Sequence, residues 1–171
     1  MSNNVVKKPN KNIYKIKKTA TKFWKPALIS FGAVFLVAIL SSLLVNADAA
    51  WFVNLVKPIF YPPSWVFSVV WTIIYFLVAI GLFLVLLKPV SHRLIFLYVL
   101  NGLFNIIWNL VFFRFQSLFG GVLALAILIV FAYFLIKELY ATNRASFYLT
   151  LPYFLWLFFA FILNYSIYFL N

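Results

Sequence analysis

The sequence predicts an all-α integral membrane protein, a bundle of five transmembrane helices. Three observations carry this. First, 67% of the 171 residues are hydrophobic and only 9% are charged, whereas soluble domains run about 45–50% and about 25%. A water-soluble fold has nowhere to hide that much apolar surface. Second, five apolar runs follow one another, over residues 26–45, 65–87, 94–113, 118–136 and 151–170, each uncharged until its end. At about 1.5 Å per residue, roughly twenty residues cross a hydrocarbon core of about 30 Å. Third, the fourteen Lys and Arg are unevenly placed: with the N-terminus in the cytoplasm, twelve fall inside and only Lys57 and Arg114 outside. That is the positive-inside pattern.

Residues 1–25 hold eight of the basic residues and no apolar periodicity. They read as a disordered cytoplasmic arm, followed by a transmembrane domain over 26–171. A lysine-rich segment beside an apolar run suits anionic lipid better than nucleic acid, at roughly 1 kcal/mol per Lys. Pro26 suits a first helical turn, where its missing N–H is not needed. Ala47-Asp48-Ala49 resembles a signal-peptide cleavage site. The run before it exceeds the about 7–15 residues of a signal h-region, so a retained helix is expected.

The connection over 46–64 carries Lys57-Pro58 and Pro62-Pro63. These pairs fix φ near −65° and bias their predecessors away from helix, which makes a stiff, lid-like connector. Phe119-Gly120-Gly121 marks a tight link before the fourth span, and Pro152 with Thr150 as cap marks the start of the fifth.

The chemistry is narrow. Asp48 and Glu138 are the only acids and fall on opposite sides of the bilayer, so no carboxylate pair forms. There is no cysteine, and the single His92 lies in a short basic loop. No span carries the mid-membrane charge common in ion-coupled carriers. No catalytic residue, metal site or obligatory cofactor is expected.

What the spans carry is amide and aromatic chemistry. Asn101, Asn105 and Asn109 recur every four residues, with Trp108 beside them. Phe67, Trp71, Thr72 and Tyr75 share a face of the second span. Tyr153, Trp156, Ala160, Asn164 and Asn171 line up along the fifth. Two readings stay open on spacing alone. The amides glue helices together, at about 0.6 kcal/mol per hydrogen bond, or the stripes wall a pocket for a flat, largely apolar ligand.

Four motifs in order are similar to those of the translocator protein family, also called tryptophan-rich sensory proteins or peripheral-type benzodiazepine receptors. The first is W-x3-L-x-K-P-x3-P-P, here Trp51, Leu55, Lys57, Pro58, Pro62 and Pro63. The second is Phe67 leading into Val70-Trp71-Thr72, and the third is Asn105, Trp108 and Phe112-Phe113. The fourth is Pro152, Tyr153, Trp156, Ala160, Asn164 and Asn171. Phe52 stands where Tyr is usual, and Asn109 where Ser is common.

The resemblance implies a five-helix, commonly dimeric bundle that binds porphyrins such as protoporphyrin, and in animal members sterols. It implies a pocket built from Trp71 and Tyr75, Asn105 and Trp108, and Tyr153, Trp156, Ala160 and Asn164, closed by Trp51, Phe52, Pro62 and Phe67. The expected function is a membrane receptor for porphyrins and related hydrophobic molecules, moving or sensing them. An alternative is light- or oxygen-dependent porphyrin breakdown at Trp71 and Trp156. Another is a purely structural membrane protein. A bacterial plasma membrane is expected, with the mitochondrial outer membrane as alternative.

Overall fold

The computed structural model describes the backbone of residues 11–47 and 49–171 and the side chains of 23–47 and 49–171. Six α-helices follow in order: α1 Lys11–Leu44, α2 Ala50–Asn54, α3 Ser64–Leu86, α4 His92–Asn109, α5 Leu118–Thr142 and α6 Arg144–Leu170. All but α2 are long and apolar enough to cross a membrane, the spans beginning at Phe23, Ser64, His92, Leu118 and Arg144. The protein is a multi-pass membrane protein of five helices.

The five long helices close into a ring. Helix α1 touches α3 and α4, α3 touches α6, α6 touches α5, and α5 touches α4. The dry core lies along α5 and α6, where Leu125, Leu128, Leu139 and Leu157 are fully buried. The large apolar side chains left outside, such as Leu43, Phe96 and Phe169, face the lipid; lipid tails solvate them as well as a protein core would.

Several boundaries differ from the sequence expectation; helix α5 takes in Phe119-Gly120-Gly121, expected as a link, and runs on to Thr142 instead of ending at 136. Helix α1 runs back through residues 11–25, so this part of the arm is helical, and Pro26 lies inside the helix instead of in its first turn. Once the apolar run has nucleated a helix, extension through Lys and Ala is cheap. The rest of the expected disordered arm, residues 1–10, lies outside the described residues.

Helix α6 begins at Arg144, well before Pro152 and Thr150, which sit in its interior. The cap is Asn143, in an extended conformation at φ −150°, whose side chain accepts from the Ser146 N–H. One residue therefore turns α5 into α6. Thr150 is fully buried in the bundle and caps nothing.

The third span is not one α-helix. Helix α4 ends at Asn109 and continues as a π-turn over Leu110–Arg114. There the Phe115 N–H donates to the Leu110 carbonyl at 3.0 Å, and Gln116 follows in the left-handed region at φ 53°. The start of α5 packs closely against this turn. A Cβ on Gly121 would stand 2.6 Å from the Phe112 ring, and one on Gly120 2.7 Å from Val111. Glycine at both positions lets α5 press against the turn.

Candidate ligand-binding site

The connector between α1 and α3 is built around Lys57. Its ammonium donates to the Phe52 carbonyl at 3.0 Å and the Val53 carbonyl at 3.4 Å. A cation at these last carbonyls of α2 complements the negative end of the helix. The same ammonium stands 4.8 Å from the Phe52 ring and 5.9 Å from the Tyr61 ring. A turn returns the chain, with the Tyr61 N–H donating to the Pro58 carbonyl at 2.9 Å. The Pro-Pro pair then leads into α3, with Pro63 at φ −54° as its first flanking residue.

Beneath the connector lies a cavity of about 540 Å³. Phe52 and Tyr61 form its roof, and Phe67, Trp71 and Tyr75 of α3 form one wall. Trp108 and Asn109 of α4, with Phe112 and Phe113 of the π-turn, form a second wall. Ala160, Leu163, Asn164 and Ile167 of α6 close the back. Along α1 the lining is Ala38, Ile39, Ser41, Ser42 and Val45. Ile39, Ser42, Ser68 and Thr72 are both lining and exposed, so the cavity opens sideways between α1 and α3, toward lipid. No charged side chain among the described residues lines it.

The rings are held in fixed mutual orientation. Trp71 stacks on Tyr75 at 5.4 Å and lies 6.1 Å from Trp108. Tyr61 lies 5.4 Å from Phe67, and Phe52 lies 5.4 Å from Phe113. Amides lock the frame behind them. Asn105 accepts at one oxygen from both the Ser41 and Tyr75 hydroxyls, each at 3.0 Å. Asn164 accepts from the Trp108 indole at 3.3 Å and donates to the Ala160 carbonyl at 3.0 Å. Deeper in the bundle, Tyr153 donates to Asn101 at 3.3 Å.

Seven of the twelve expected site residues line the cavity: Phe52, Phe67, Trp71, Tyr75, Trp108, Ala160 and Asn164. The other five stand behind its wall. Asn105 ties α1, α3 and α4 together. Tyr153 is buried with its ring 6.5 Å from Trp71. Trp156 packs on Phe67 and Phe159, its indole N–H buried without a partner. Trp51 packs edge-on to Phe112, and Pro62 shapes the connector. Of the expected tryptophans, Trp71 and Trp108 thus meet at the cavity, and Trp156 faces Phe67 and Phe159.

The sequence marks Asn109 through the amide stripe and Phe112-Phe113 through the third motif, but neither as a site residue, and the α1 wall goes unmarked by either. Ser41, one of three serines in the first apolar run, is the one bonded across the bundle, donating to Asn105, while Ser42 bonds its own helix at Ile39. A polar residue there needs a partner inside the bundle.

Comparison with known proteins agrees with this architecture. The sequence pattern of the TspO/MBR family matches residues 14–170. A tryptophan-rich protein TspO from Archaeoglobus fulgidus is 34% identical over 124 residues, covering 71% of this chain and 80% of the relative. Another from Bacillus cereus is 28% identical over 151 residues, covering 86% and 97%. A tryptophan-rich sensory protein from Cereibacter sphaeroides is 32% identical over 109 residues, covering 62% and 67%. With five membrane-spanning helices, the four motifs in order and a match across nearly the whole chain, this protein belongs to the TspO/MBR family.

Proposed function

We propose that the chain is a membrane receptor for porphyrins and related flat, hydrophobic molecules, which it takes up from the bilayer and senses or passes on. The observation that carries this reading is the cavity itself. Its volume suits a drug-sized or larger planar ligand, and it is walled by aromatic rings with a few fixed amides. Its side opening between α1 and α3 admits a ligand already dissolved in lipid. Beyond hydroxyls, the described lining offers no acid or base, which favours binding over chemistry. The family relative named a sensory protein supports the same reading. The basic bias of the loops supports a cytoplasmic N-terminus in a bacterial plasma membrane.

The test is a protoporphyrin titration in detergent, followed by tryptophan quenching. Saturable quenching is expected at low concentration. Trp71→Phe and Trp108→Phe should each weaken it, whereas Trp156→Phe should change affinity little. Linear, non-saturable quenching in every variant would mean that porphyrin only partitions into the micelle, and the reading would fall.

A further inference from the structure

Four asparagines in the bundle share one habit. The side-chain N–H of Asn101 donates to the Leu97 carbonyl, that of Asn109 to Asn105, that of Asn164 to Ala160 and that of Asn171 to Ile167. The distances are 2.8, 2.9, 3.0 and 2.8 Å. Each back-bond fixes which way the amide points, because the opposite orientation would set two oxygens against each other. The side-chain carbonyl then faces away from its own helix.

Three of those carbonyls have a donor. Asn101 receives the Tyr153 hydroxyl, Asn164 the Trp108 indole and Asn171 the Val56 N–H. The fourth, Asn109 Oδ1, has none among the described residues. Asn109 is 4% exposed and lines the cavity. The oxygen is not sealed inside the protein, so a donor that enters the cavity can reach it. The other buried polar side chains of the lining direct their donors into the protein. Ser41 donates to Asn105, Trp108 to Asn164, and Asn164 to the Ala160 carbonyl.

We propose that Asn109 Oδ1 is the amide acceptor that the cavity offers to a ligand, and that it selects flat apolar ligands that carry an N–H or O–H donor. This rests on the binding reading above. For flat tricycles it predicts preference for carbazole, which carries an outward ring N–H, over fluorene, which has the same shape and carries none.

The test compares carbazole with fluorene by their displacement of protoporphyrin, followed by porphyrin fluorescence. The wild type should bind carbazole roughly five- to tenfold more tightly, the worth of one neutral hydrogen bond. Asn109→Leu should remove that preference. Asn109→Ala serves as a second variant should leucine crowd Phe112. Equal wild-type affinities would overturn the proposal on their own, as would a preference that survives in the variants or a loss shared equally by both ligands. Displacement by both with no preference, or by neither, overturns only this inference. Protoporphyrin that does not bind saturably overturns the binding reading with it.

Discussion

Asn171 and Val56 face each other as two amides. The Val56 N–H donates to Asn171 Oδ1 at 2.9 Å, and Asn171 Nδ2 donates to the Val56 carbonyl at 3.0 Å. The pair joins the connector to the far end of α6, the helix whose Ala160, Leu163 and Ile167 form the back of the cavity. Both bonds are exposed, so each contributes only about 0.5–1.5 kcal/mol. Asn171→Ala should therefore leave the bundle folded but free the connector. Stopped-flow quenching should show protoporphyrin leaving about five- to tenfold faster. An unchanged release rate would mean that the connector does not gate the cavity.

The Asn105 carbonyl gathers two hydroxyls from two other helices. Leucine at this position strands Ser41 and Tyr75 together. The expected loss is about 1–2 kcal/mol, since single membrane hydrogen bonds average about 0.6 and reach about 1.7. Tyr75→Phe removes one donor and should lose about half as much. A cycle of Asn105→Leu with Tyr75→Phe, followed by unfolding in detergent mixtures, should show coupling between them. Strict additivity would mean that the two groups do not interact.

Gly121→Ala should destabilise the protein by about 1–3 kcal/mol, the usual cost of overpacking. The new methyl would stand 2.6 Å from the Phe112 ring, and Phe112 is part of the cavity wall. Binding should weaken together with stability. Gly32→Ala is the control, because a Cβ there meets nothing within 4 Å. Equal melting temperatures for the two variants would show that the π-turn accommodates the methyl.

Burial in the connector pushes the Tyr61 hydroxyl from its ordinary 10.0 up to about 12. The folded connector thus favours the neutral phenol. The stability this represents is present below pH 10.0 and is lost as pH rises through about 12. Protoporphyrin affinity should show no Tyr61 component well below pH 10.0. A fall above it should shrink in Tyr61→Phe. The same fall in the variant would assign it to another group.

Much of the site was legible in residue spacing, because helical period places residues three and four apart on one face. Trp71 with Tyr75, and Ala160 with Asn164, reach the cavity for that reason. The same rule puts Asn105 and Trp156 on such faces, yet neither lines the cavity. A face predicted from period is wide, and only the neighbouring helix decides which part of it meets a void. Asn105 meets Ser41 and Tyr75, and Trp156 meets Phe67 and Phe159. Pro152 misled for a related reason. In water a proline usually ends a helix, but in a membrane the backbone has no better alternative, and α6 passes through it.

By itself the sequence determined five apolar helices, their count, their membrane setting and the stiff connector. These follow from the length and composition of each segment, and from a bilayer that forces every backbone amide to be satisfied within its own helix. Tertiary structure alone decided that α1 forms a cavity wall, that the third span widens into a π-turn against Gly121, and that Asn171 reaches back to Val56. Each depends on which faces meet at distances of a few ångströms. Contacts between residues far apart in the chain leave no periodic trace in either segment.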